Sequence, residues 1–227
     1  MTQTATREGI GPISATATES LRPAGFVMLG GVLLMVIGAG LYFSTGADLW
    51  ESLQAREMAA WLTSAADNTA TLYANLAFWI AGSVMLGVGG ALATHRVDNP
   101  AGRGARFLFG LGPALSVPAF IAMASIVRLS ETADASAQIA DTVGFVGARL
   151  DDLATVILVA IAPVLLVVSA RNDWVPRWLR LFGYVAGVAG LLSLVTIFTG
   201  YSALSSLIIP IGLGWTVSAG VVAVRAS

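Results

Sequence analysis

The sequence predicts an all-α membrane protein: a bundle of six transmembrane helices, both termini cytoplasmic, with a short amphipathic helix in the first external loop. Three observations carry this. Hydrophobic residues make up 56% of the 227 positions and charged residues only 11%, against about 25% charged in soluble domains. Mean hydropathy is +0.81. Six segments reach the roughly 20 apolar residues that about 30 Å of hydrocarbon demands.

Residues 1–22, rich in Thr, Ser and Ala without apolar periodicity, read as a mobile cytoplasmic tail, and 23–227 as a single six-helix domain. A signal peptide has an apolar core of about 7 to 15 residues; the first span, 24–43, is longer and no A-x-A site follows it convincingly. Between spans one and two, "GADLWESLQAREMAAWLTSAADN" sets Leu49, Trp50, Leu53, Ala60 and Trp61 among charges, the pattern of a helix lying on a membrane interface. Asp67 or Asn68 is placed to cap span two, 71–94. Span three, 107–127, is bracketed by Arg106 and Arg128. In the loop that follows, Ile139, Val143 and Val146 at helical spacing allow span four, 151–170, to extend outward. From Leu181 to Val224 run 44 uncharged residues, enough for spans five (181–199) and six (204–224) about a turn at Gly200, Tyr201 and Ser202.

Orientation follows from arginines near the span ends. With the N-terminus inside, Arg7, Arg22, Arg96, Arg103, Arg106, Arg171, Arg177, Arg180 and Arg225 are cytoplasmic and Arg56, Arg128 and Arg149 external, nine against three. Trp174 and Trp178, among arginines, fit an inner aromatic belt. All twelve basic residues are arginine, which reads as the codon bias of a high-GC bacterial genome.

The chemical inventory is narrow. Without cysteine there are no disulfides or thiolate sites. One histidine, His95, cannot make a bis-histidine haem and starves a zinc or copper site; beside Arg96 it reads as a solvated residue of the inner edge. A retinal Schiff base needs a lysine, which the chain lacks. No cofactor, metal or nucleic-acid partner is expected; membrane lipids are the partners the composition calls for.

What remains is a polar layer at the outer ends of the spans. At about 1.5 Å per residue, Asp152 and Asp151 lie about 28 and 30 Å from Arg171, Arg128 about 33 Å from Arg106, and Asn75 about 30 Å from His95. Tyr73, Tyr201, Ser202, Ser205 and Ser206 share that level. One reading is ordinary wetting, with the aspartates favoured by a helix N-terminus. The other is a ligand site formed by Asp151, Arg128, Asn75, Tyr73, Tyr201 and Asp152, in which Arg128 pairs with an aspartate across spans three and four. Helical spacing separates the two acids. Asp151 heads the stripe Thr155, Leu158, Ala162, Leu165 and Ser169, which should face neighbouring helices; Leu153, Ile157, Val164 and Val168 should face lipid. Asp152 stands three residues after Arg149 and can be satisfied there. Gly183 and Gly187, like Ser83 and Gly87, read as helix-packing positions. Pro113, Pro118, Pro163 and Pro210 should kink their spans.

Six spans, the external amphipathic segment and the link "NDWVPRWLRLFGYVAGVAGLLSLV", with Pro176, Arg177, Arg180 and Gly183, together resemble the bacterial membrane family known as domain of unknown function 4386. The resemblance implies an inner-membrane location and carries no catalytic residue. Three functions are compatible with the sequence: a non-enzymatic protein binding a lipid, an amphipathic small molecule or a partner subunit from its outer side; a small-solute transporter, since three spans followed by three are related by inverted topology; and a lipid-modifying enzyme with Asp151 or Asp152 as general base.

Overall fold

The computed structural model describes residues 20–132, 135–199 and 205–226, and within them every regular element is a helix. In chain order these are α1 (Arg22–Thr45), α2 (Leu49–Ala55), α3 (Met58–Ala66), α4 (Thr69–Ala93), α5 (Pro100–Ser130), α6 (Ala137–Val156), a π turn (Ile157–Ile161), α7 (Ala162–Ser169), α8 (Arg177–Thr199) and α9 (Ser205–Arg225). Six helices are long and apolar enough to cross a membrane, with α6, the π turn and α7 forming the fourth. The chain is a multi-pass membrane protein by this criterion.

Each span packs on the next, and α9 returns to α1, closing a ring. The fourth span is the most enclosed: its π turn touches α5, α8 and α9. The expected lipid stripe is therefore corrected. Ile157 is buried, and of Leu153, Ile157, Val164 and Val168 only Val168 is exposed. The apolar surface left outside is spread over the other spans, with Phe26, Leu33 and Phe43 on α1, Phe107 and Ile121 on α5, and Leu181, Val188 and Leu191 on α8.

Small residues set the closest approaches. Gly31 and Gly38 on α1 face Gly82 and Trp79 on α4; a Cβ at Gly31 would lie 3.0 Å from the Gly82 carbonyl oxygen. Two side-chain hydrogen bonds lock this seam, Asn75 Nδ2 to the Gly38 carbonyl at 2.9 Å and Trp79 Nε1 to the Met35 carbonyl at 3.3 Å. On α8, Gly183, Gly187 and Gly190 admit Val167, Val164 and Ala160 of the fourth span, the packing role their spacing predicts.

Two helices start ahead of the apolar stretches of their spans. Asn99 accepts from Gly102 N at 2.9 Å and Pro100 fills the first turn, so α5 begins well before residue 107. Ser136 accepts from Ile139 N at 3.3 Å and starts α6 at Ala137, so span four extends outward from residue 151 as the spacing of Ile139, Val143 and Val146 allows. Asp151 is thus about 21 Å along the helix from its start, beyond reach of a dipole effect confined to the first turn. The reading of the two aspartates as acids at a helix N-terminus is wrong. The π turn precedes Pro163, which has no N–H for the carbonyl four residues back; the Ala162 N–H bonds to the Ile157 carbonyl, five residues back, and the helix continues.

The first interhelical loop also differs. Two helices form instead of one, joined at Arg56 with φ 60°. Leu49, Met58, Trp61, Leu62 and Ala65 are buried against α5 and α6, and Trp61 Nε1 donates to the Ala47 carbonyl at 3.2 Å. The pair caps the bundle. Neither Asp67 nor Asn68 caps α4 through its side chain: the Asn68 amide donates back to the Ser64 carbonyl at 2.9 Å. Trp178 is exposed, whereas Trp174 is buried in the core. The turn expected at 200–202 lies outside the described residues.

Candidate functional site

Two apolar cores divide the bundle. One, under α2 and α3, gathers Tyr42, Trp61, Leu72, Phe120 and Ile126; the other gathers Met28, Phe109, Leu166, Leu179 and Trp215. Between them lies a cavity of about 710 Å3, within the range of small-molecule sites. Its position follows from how α1 and α9 diverge. They nearly touch at one end, where a Cβ on Gly25 would lie 2.5 Å from the Gly220 carbonyl oxygen. Toward the α2 end both line the cavity, α1 through Val36, Ala39 and Phe43 and α9 through Ile209, Pro210 and Leu213. Phe43 and Ile209 are exposed, so the cavity reaches the apolar outer surface between these helices.

The walls are mostly apolar: Met35, Leu86, Phe120, Val156, Leu158 and Ile208 contribute, and the hydroxyls of Ser83 and Ser116 are satisfied within their own helices by the Ile80 and Gly112 carbonyls at 3.0 and 2.9 Å. An aromatic chain crosses the wall. Tyr42 lies 5.8 Å from Trp50 and 5.3 Å from Trp79, and Trp79 lies 5.6 Å from Phe120, centroid to centroid.

Four carboxylates line the same cavity: Asp48, Glu51, Asp151 and Asp152. Asp48 caps α2. Its Oδ1 accepts from Glu51 N at 3.1 Å and from the Tyr42 hydroxyl at 3.2 Å, while that hydroxyl accepts from Leu49 N at 2.6 Å. These bonds fasten the cap helix to the end of α1. Asp152 is buried and pairs with Arg149 at 3.0 Å, as the three-residue spacing predicts, with the Trp50 indole against its carboxylate. Arg149 also stacks over Phe145, 5.4 Å from the ring centroid. Asp151 has no hydrogen bond or ion pair among the described residues.

The other expected site residues go elsewhere. Arg128 pairs with Glu131 on the protein surface, its side chain 76% exposed, so the pairing expected between Arg128 and an aspartate of span four does not form. Asn75 is spent on the Gly38 carbonyl and is fully buried in the α1–α4 seam. Tyr73 is half-buried against the core beneath α2 and α3. Tyr201 and Ser202, with the side chains of Ser205 and Ser206, lie outside the described residues. Of the five expected residues that are described, only Asp151 and Asp152 share the cavity. Sequence reasoning missed Tyr42, Asp48, Glu51 and Trp79. Trp79 follows Asn75 by one helical turn, a spacing that would have put both on the α1 face; Asp48 and Glu51 looked like loop charges because nothing in the sequence folds the loop back over the bundle.

Among the described residues no group of three or more acidic or histidine side chains is gathered to hold a metal ion. Comparison of the chain with family models, with curated proteins and with solved structures finds no match in any of the three.

Proposed function

We propose that this chain is a non-enzymatic protein of the bacterial cytoplasmic membrane, oriented with the α2–α3 cap outside, that takes a lipid or an amphipathic small molecule into the cavity beneath the cap. One observation carries the reading: a 710 Å3 cavity with apolar walls and carboxylates at one end, bordered by exposed apolar residues of α1 and α9. Such a volume fits an apolar body, and its polar end gives that body a direction. The arginine balance supports the orientation, and kinship with domain of unknown function 4386 is part of the same proposal.

Native mass spectrometry of the full chain, extracted in a mild neutral detergent, tests it. A retained amphiphile is expected on the unaltered protein and its loss is expected in Ala39→Trp, which fills the cavity from α1. A protein that carries no adduct and takes up none when incubated with a lipid extract would overturn the reading. A second reading, a lipid-modifying enzyme, is favoured by one observation, the Asp151 carboxylate on the cavity wall, which has no partner among the described residues. Chemical change of the retained amphiphile, lost in Asp151→Asn, would select it.

A further inference from the structure

Resting on that reading, we infer that the cavity selects amphiphiles whose polar end is a cation, an amine or quaternary onium group, with Asp151 as counter-ion and the rings of Tyr42, Trp50 and Trp79 beside it. The four carboxylates differ in what they already have, and Glu51 is exposed to solvent. A charge inside a membrane bundle is costly unless a partner meets it. Asp152 has Arg149 at 3.0 Å, and Asp48 has the Tyr42 hydroxyl and the Glu51 backbone N–H. Asp151 has no such partner among the described residues. It is half-buried, and it lines the cavity.

Among the described residues, nothing positive faces it from across the space. Among the described residues the cavity is lined by four acids and by no arginine or histidine. Arg149, outside the lining, is committed to Asp152. The rings next to these acids form a continuous wall, with Trp50 and Trp79 centroids 6.3 Å apart and Tyr42 against both. Aromatic faces attract cations, most strongly where water is excluded. An anionic head would meet a wall that carries four acids and no cation among the described residues and be repelled, and a neutral head would leave the charge of Asp151 unbalanced. A cationic head satisfies Asp151 and the rings together, while its apolar body occupies the space toward Leu158.

Equilibrium dialysis of the full chain in a neutral maltoside detergent, corrected for protein-free micelles, tests this with two ions of the same shape and opposite charge. Tetraphenylphosphonium should bind at least about tenfold more tightly than tetraphenylborate, and Asp151→Asn should weaken the phosphonium by about tenfold or more. The ratio of the two ions is read on the unaltered chain, so it decides the matter even where the variant does not fold. Competition by lysophosphatidylethanolamine then separates sources. Displacement of the phosphonium identifies a lipid headgroup amine as an admitted ligand, and its absence identifies free lipophilic cations; both bear out cation selection. Borate binding as tight as phosphonium, or a folded Asp151→Asn with unchanged phosphonium affinity, would overturn it. Equal binding of both ions, abolished by Ala39→Trp, would leave the cavity an amphiphile site and remove only the charge selection. Failure of both ions and of every neutral amphiphile to bind would remove both.

Discussion

Replacing Arg149 by Met removes the partner of an aspartate that has only 9% of its side chain exposed. At a separation of 3.0 Å and an effective dielectric constant near 20, the Coulomb attraction is about 5 to 6 kcal/mol, most of it offset by the cost of desolvating both groups. The asymmetry matters more than the net value. Arg149→Met leaves Asp152 charged and enclosed without its ion-pair partner, a loss of about 3–5 kcal/mol; replacing both, Arg149→Met with Asp152→Leu, leaves neither charge of the pair behind and should cost under about 2 kcal/mol. The single variant should therefore be less stable than the double. Unfolding of the full chain by sodium dodecyl sulfate titrated into maltoside micelles, followed by far-ultraviolet circular dichroism, measures the order of the two. The reasoning fails if Arg149→Met alone is no less stable than the double variant. The double variant should also keep tetraphenylphosphonium binding, because Asp151 is untouched.

Tyr42→Phe removes the hydroxyl that accepts from Leu49 N and donates to Asp48; with the Leu49 N–H unpaired, about 1–3 kcal/mol is lost locally, and hydrogen exchange should quicken across α2 before it changes in α4. Gly25→Ala puts a Cβ 2.5 Å from the Gly220 carbonyl oxygen, forcing α1 from α9 at a cost of about 1–3 kcal/mol, whereas Gly40→Ala, with nothing within 4 Å of the new atom, should be neutral or stabilising by up to about 1 kcal/mol; dodecyl sulfate titration reads both. Arg128→Ala breaks only an exposed pair with Glu131, so stability should change by less than about 1 kcal/mol and its effect on phosphonium binding should add to that of Asp151→Asn without coupling.

Six spans were legible because hydrocarbon thickness imposes a length that apolar runs reveal one by one. The Arg149–Asp152 pair was legible for a similar reason: it lies within one helix, and spacing alone brings its members together. Errors arose where partners come from distant segments. Arg128 and Asp151 share a level, but depth says nothing of rotation about the helix axis, and Arg128 turns outward to Glu131. Asn75 was placed among ligand residues because a polar group in a span invites that reading; its partner, the Gly38 carbonyl, exists only once α1 and α4 meet at their small residues. The cap departs furthest from the sequence pattern. Leu49 and Trp61 were seen as an interface-seeking face, and they do bury themselves, but in the protein, which brings Asp48, Trp50 and Glu51 over the cavity.

The most direct test of the cavity's role is a cryo-EM map of the full chain in lipid nanodiscs, at a resolution that shows side chains. An elongated density should lie between α1 and α9, its body against Leu86 and Leu158 and its head within contact of the Asp151 carboxylate and the Trp79 ring. A cavity closed by the chain's own side chains, or one holding only discrete water peaks with Asp151 bonded inside the protein, would contradict the account.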